Sequence, residues 1–269
     1  MNDVAAQYLN KRWFKSRVAR WDYRQARRVL LEELSPALGD QVLEIGCGPG
    51  TWTKEVAPLV RNVVAVDISP EMIEGAKEYT KGLRTGFVNA DSLEADVEGR
   101  FDKIFSSRAI EYIADLDALA KKIGGLSKPG GRTVLITKTR FSLWRGRMRL
   151  VYRRERRSGE GGPIARQYLR SPGQLSEAFA RYGFTTLRIR PVICRAPVFQ
   201  EGYHEFPLVP DKVAAPFLAL FQFLYSLSLR LPDRLMFLPL AMSETCCVTL
   251  QRTPAEDLPS ARGLDTARG

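Results

Sequence analysis

Histidine is nearly absent: the 269 residues hold one, His204. The four cysteines, Cys47, Cys194, Cys246 and Cys247, form no C-x-x-C pair. A Cys/His zinc site is therefore not expected, and no metal is called for. No charged-then-apolar leader opens the chain; MNDVAAQYLNKRWFKSR is polar and amphipathic, which predicts a cytoplasmic, reducing setting. No self-similarity appears at solenoid periods. Acidic residues are the minority, 30 against 41 lysines and arginines, and the net charge of +11 favours anionic partners: nucleic acid, an acidic membrane surface or an anionic substrate. Hydrophobic residues at 45% suffice for a packed core.

What is present is an alternation of short apolar runs and helical patterns. QVLEIGCGPG, NVVAVDIS, TGFVNADS, FDKIFSSRAIEYI and RTVLITKT read as five buried strands. PEMIEGAKEY opens with Pro70 as a helix start, and LDALAKKIGGLSKPGG reads as a helix stopped by its Pro-Gly-Gly turn. SPGQLSEAFARYGF carries Ser171 as N-cap, Pro172 in the first turn and Gly183 as stop. TTLRIRPVI and ETCCVTLQR supply two further strands. Strands alternating with helices predict an α/β, doubly wound parallel sheet. The predicted organisation is N-terminal helices over 1–37 forming a lid, and a core over 38–195 and 243–252 with a basic insertion at 140–170. An apolar helical cap insertion covers 196–242, and a disordered tail 253–269.

The chemistry concentrates in VLEIGCGPGTW. Gly46, Gly48 and Gly50 allow a sharp turn and a close approach to a ligand. The spacing G-x-G-x-G is one residue short of the dinucleotide fingerprint. Glu44, two residues before the first glycine, would repel a pyrophosphate but suits an ammonium or a sulfonium. Asp67 ends the second strand, where a carboxylate can accept both hydroxyls of a ribose. Asp91 ends the third and can accept from an adenine amino group. Three carboxylates around one glycine loop describe a nucleoside site that does not want phosphate.

These motifs, together with NADSL, FDKIFSSRAIEYI and LSKPGGRTVLI, resemble those of class I S-adenosylmethionine-dependent methyltransferases, and within them the ubiquinone/menaquinone-type small-molecule branch. The resemblance covers roughly residues 38–138. It implies a Rossmann-like seven-stranded sheet with an antiparallel last strand, and S-adenosyl-L-methionine as cofactor. It implies cofactor contacts from Glu44, Gly46, Cys47, Gly48, Gly50, Asp67, Ile68, Asp91 and Ser92, with Ser107 and Arg108 near the methionine end. Glu111 and Tyr112 stand where relatives often carry a histidine and, with His204, are the candidate catalytic residues. No D-P-P-Y or N-P-P-Y tetrapeptide and no Pro-Cys nucleophile follows strand four, which disfavours methylation of nucleic-acid bases.

Two stretches remain. Arg145 to Arg157 places seven arginines in thirteen residues. Ala214 to Ala241 is apolar, with Gln222, Ser226 and Arg230 forming one polar stripe at every fourth residue. A membrane span needs about 20 apolar residues and would separate the last two strands, so none is expected. The segment reads as a buried cap, as an interfacial helix in a membrane, or as a homodimer contact. The expected function is methyl transfer to a hydrophobic or lipid-like small molecule, peripheral on an anionic inner membrane face through Arg145–Arg157 and 213–241. The alternatives are an RNA methyltransferase using the arginine stretch and a non-catalytic cofactor-binding module.

Overall fold

The computed structural model describes residues 3–140, 167–193, 213, 217–228 and 237–254. His204, Cys194, the Arg145–Arg157 stretch, most of the 196–242 segment and the tail from 255 lie outside them.

Strands β1 (Gln41–Ile45), β2 (Asn62–Asp67), β3 (Thr85–Asn89), β4 (Phe101–Ser107), β5 (Ser127–Lys138), β6 (Phe184–Pro191) and β7 (Thr245–Arg252) form one sheet, ordered β3-β2-β1-β4-β5-β7-β6. The first five are parallel, and β7 runs antiparallel between β5 and β6. This is the expected seven-stranded α/β sheet. The strand order reverses between β1 and β4, the topological switch point at which such sheets bind ligands. β1 is buried along Val42–Ile45, as befits a central parallel strand covered on both faces.

The helices are α1 (Asp3–Leu9), α2 (Arg17–Leu34), α3 (Thr51–Val56), α4 (Pro70–Tyr79), α5 (Leu116–Leu126), α6 (Pro172–Ala180), α7 (Leu218–Ser228) and α8 (Phe237–Met242). Ser69, Asp115 and Ser171 cap α4, α5 and α6, and Ser171 forms a full capping box with Gln174. Ahead of α2 a π-helical turn, Asn10–Phe14, brings Trp13 edge-on to Trp52, while Tyr23 stacks on Trp52 at 5.3 Å. This aromatic cluster fixes the N-terminal segment beside the helix that follows the glycine loop.

Two elements differ from expectation. The fourth strand ends at Ser107 rather than Ile113, because Arg108 takes a left-handed φ of 66° and a 3₁₀ turn follows over Ile110–Tyr112. Helix α5 ends at Leu126, before the Pro-Gly-Gly turn. Ser127 already pairs with Phe101, and the register then jumps to Lys103 against Arg132, so Lys128–Gly131 bulge out within β5.

A glycine-loop site at the carboxyl edge of the sheet

Gly46, Gly48 and Gly50 all adopt left-handed φ, +73°, +51° and +78°. A Cβ on Gly46 would stand 2.1 Å from the Ala109 Cβ, so the β1 and β4 ends approach this closely only with glycine there. Around Gly48 no atom lies within 4 Å of such a Cβ; that side of the loop is open to a ligand. The amides of Gly46 and Cys47 both donate to the Val66 carbonyl, at 2.8 and 3.0 Å, tying the loop to β2. The Cys47 side chain is buried and its thiol is pushed up by that burial, so it presents no thiolate.

Glu44 is fully buried. Thr53 donates to its Oε2, while Oε1 has no protein hydrogen-bond partner. Burial, with Asp67 adding repulsion, pushes its carboxyl up to about 8. An orphaned carboxylate oxygen at a glycine loop is the partner that an ammonium group requires.

Asp67 accepts from the Gly48 amide at 2.7 Å through Oδ2 and from the Ser69 amide at 3.0 Å through Oδ1. Each oxygen keeps a second lone pair for a ribose hydroxyl. Ile68 follows, 67% exposed, as an apolar surface a base could cover. Asp91 accepts from Leu93 through Oδ1 at 2.8 Å, and Ser92 beside it is partly buried. Asn89 closes this edge by donating to the Asp67 carbonyl at 2.9 Å.

At the β4 end Ser107 is buried with its hydroxyl unpartnered. Arg108 is half of an ion cluster. Its Nε donates to Glu111 at 3.2 Å and its Nη2 lies 3.3 Å from Glu244. Burial opposes the Arg108 charge, but Glu244 and Glu111 outweigh it and raise its value. Glu111, buried, also accepts from Thr137 at 2.9 Å. Lys138, at the end of β5, donates to Gln167 at 3.3 Å, and Gln167 donates to the half-exposed Tyr112 hydroxyl at 3.0 Å. Burial, then Arg108, pushes Lys138 down to about 8. Arg12, from the N-terminal segment, places Nη2 3.8 Å from Glu244. The structure thus brings Glu111 and Tyr112 together and adds Arg12, Lys138 and Glu244. Lys138 and Glu244 were visible only as charges flanking apolar strands, at the carboxyl end of β5 and just before β7.

Of the apolar segment, α7 and α8 fall within the described residues. Helix α7 meets the body of the protein through Gln222 and Tyr225: Gln25 of α2 donates to Gln222, and buried Tyr225 accepts from Arg190 at 3.2 Å while donating to the Pro191 carbonyl at 3.2 Å; Ser226, of the same polar stripe, is exposed. Phe217, Leu220, Phe223, Leu224 and Leu227 point outward, each about half exposed or more. Among the described residues no helix is long and apolar enough to cross a membrane.

A family model described as a methyltransferase domain matches residues 18–189. The chain belongs to that methyltransferase family. The family's cofactor is S-adenosylmethionine, and the residues present fit it: an orphaned buried carboxylate for its ammonium, an open glycine loop, and two further carboxylates at successive strand ends. The chain is 29% identical over 139 residues to a ubiquinone biosynthesis O-methyltransferase of Xanthomonas euvesicatoria, covering 49% of this chain and 58% of the relative. It is 32% identical over 119 residues to an uncharacterized methyltransferase of Mycobacterium tuberculosis, covering 44% and 60%. The chain thus spans about 60% of the length of these curated relatives. In fold it is similar to the N-methyltransferase NodS of Bradyrhizobium japonicum, solved with S-adenosyl-L-homocysteine: TM-score 0.55, 17% identity, 93% of this chain and 97% of that one.

Proposed function

We propose that this methyltransferase transfers a methyl group from S-adenosylmethionine to a hydrophobic or lipid-like small-molecule acceptor. The observation that carries the cofactor half is Glu44, buried with Oε1 unpartnered beside a glycine loop open at Gly48. The cofactor supplies a methyl group on a sulfonium, already activated toward an in-line nucleophile. The protein's part is then positioning, which can supply about 7–11 kcal/mol of barrier reduction. In this reading Glu44 pairs with the ammonium, Asp67 accepts the ribose hydroxyls, and Asp91 and Ser92 hold the adenine edge against Ile68. Ser107 and Arg108 face the methionine end. Glu111 serves as the counter-ion that orients Arg108, and Tyr112 lines the mouth through which the acceptor enters.

The acceptor half is supported by the ubiquinone-type relative and by the outward apolar face of α7. Tyr225 binds the Pro191 carbonyl, and Pro191 pairs with Cys246 near the start of β7, so α7 sits at the same carboxyl edge as Glu244. An acceptor dissolved in a bilayer would meet the protein at this edge, with an acidic lipid surface attracting its excess positive charge. Calorimetry with S-adenosylmethionine and S-adenosylhomocysteine tests the cofactor half; an Asp67→Ala variant that binds as well as wild type would refute the assignment. Sedimentation with anionic vesicles tests the membrane half, and equal recovery with and without vesicles at low salt would refute it.

A further inference from the structure

Resting on that reading, we infer that Arg12, Arg108 and Lys138 form a subsite for a single negatively charged oxyacid group on the acceptor. Three cations from separate elements meet here: Arg12 on the N-terminal segment, Arg108 after β4 and Lys138 at the end of β5. Arg12 and Arg108 share Glu244, Arg108 also pairs with Glu111 of the 3₁₀ turn, and Lys138, with no ion pair to either carboxylate, lies within electrostatic reach of all four groups. The cluster keeps one positive charge, which a monoanion balances and a dianion overshoots.

The donors are also left over. Arg108 spends Nε on Glu111 and Nη2 on Glu244, and its buried Nη1 has no protein hydrogen-bond partner. Arg12 is buried, and its Nη2 stands 3.8 Å from Glu244, beyond hydrogen-bond range. Lys138 uses one of three N–H bonds, on Gln167. Unmet buried donors are costly, so a group that satisfies them binds with that advantage. Burial first, and then the Arg108 charge, lower the Lys138 value, and an anion beside it would oppose that lowering.

The cofactor's own carboxylate can meet Arg108 at the methionine end but does not reach Lys138. It shares a carbon with the ammonium assigned to Glu44 on β1. Lys138 lies on β5, two strands away in the order β1-β4-β5, which is about 10 Å at the usual strand spacing. Glu244 precedes β7, one strand further. Lys138 and Glu244 therefore lie on the acceptor side of the site, with Arg108 between them and the methionine end.

The test is calorimetric titration of the full chain, saturated with S-adenosylhomocysteine, with benzoate, dimethyl phosphate and neutral benzamide. At least one monoanion is expected to bind with a dissociation constant near the millimolar range, about −4 kcal/mol, and benzamide at least tenfold more weakly. Lys138→Met is expected to weaken the anion tenfold or more. This change strands no carboxylate, because the lysine's hydrogen bond is to Gln167. Tighter benzoate assigns a carboxylate to the acceptor; tighter dimethyl phosphate assigns a phosphodiester, as in a lipid headgroup. Equal binding of benzamide, an unchanged Lys138→Met variant, or loss of anion binding when S-adenosylhomocysteine is added would each overturn the subsite. Failure of S-adenosylhomocysteine itself to bind would instead overturn the methyltransferase reading.

Discussion

Replacing Glu44 with glutamine should make the protein more stable and worse at binding its cofactor. The carboxyl ionises near 4.5 when solvated and about 8 when folded, a gap of 3.5 units. At 1.36 kcal/mol per unit this corresponds to at most about 5 kcal/mol. The sign follows from linkage. A raised folded value means the contribution is intact below pH 4.5 and is lost as pH rises through about 8. Wild type should therefore lose up to about 1.4 kcal/mol of stability per pH unit across that window, other groups aside. Glutamine carries no charge at any pH, so the variant should lack this slope and exceed wild type by several kcal/mol at pH 9. Urea unfolding at intervals from pH 5 to 9 measures the difference directly. In the same variant the ammonium loses its ionic partner, which at about 1.5–3 kcal/mol is a tenfold to hundredfold weaker cofactor affinity. Binding to wild type below pH 8 should release a proton, seen as a buffer-dependent calorimetric enthalpy. A variant less stable than wild type at pH 9, or one that binds the cofactor equally well, would refute the role assigned to Glu44.

Gly46→Ala should cost more than about 2 kcal/mol in urea unfolding, since the added methyl meets Ala109 at 2.1 Å in a backbone that disfavours side chains. Arg190→Met removes the cation that binds buried Glu33 at 2.7 Å and should cost about 3–5 kcal/mol, read as a lower thermal midpoint. Burial opposes ionisation of Glu33, but the hydrogen bonds from Arg190 and Thr249 outweigh it and hold its carboxyl low. Its contribution is therefore present above the solvated carboxyl value and lost as pH falls through the folded one; Glu33→Gln should flatten that acid limb. Phe223→Ser combined with Leu227→Ser alters exposed positions, so stability should change by less than about 1 kcal/mol while vesicle cosedimentation falls.

The parallel half of the sheet was legible because its strands are continuous apolar runs ended by glycine or acid, as in VLEIGCG and VVAVD. The positions of Glu44, Asp67 and Asp91 at the glycine-loop edge were legible for the same reason, since each stands at or near the end of such a run. The ends of β4 and α5 were not. Arg108 enters a left-handed conformation that no residue preference announces, and Ser127 joins the sheet against Phe101, a pairing set by tertiary contact. The orientation of α7 was also hidden. The spacing of Gln222 and Ser226 gave the stripe, but the residues that anchor α7, Gln222 and Tyr225, are set by Gln25 and Arg190, 197 and 35 residues away in the chain.

That orientation sets the terms of the proposed membrane contact. Burying a large apolar side chain contributes about 1.5–3 kcal/mol, so five that are half exposed offer about 5 kcal/mol to a bilayer. This matches a single myristoyl chain, whose association constant near 10⁴ M⁻¹ gives only marginal attachment. Such a helix cannot hold the protein on a membrane without a second signal. The charge of +11, with seven arginines between Arg145 and Arg157, is that signal in the sequence, at about 1 kcal/mol for each basic residue near an acidic surface. A homodimer through the same five side chains has no comparable supplement, since two like-charged copies repel and a stable interface buries about 1,200 Å² or more. Vesicle binding should therefore require anionic lipid and weaken as salt shortens the screening length from about 10 Å at 0.1 M to about 3 Å at 1 M. Equal binding to neutral vesicles would place the whole attraction on α7, a load its five side chains are too few to carry.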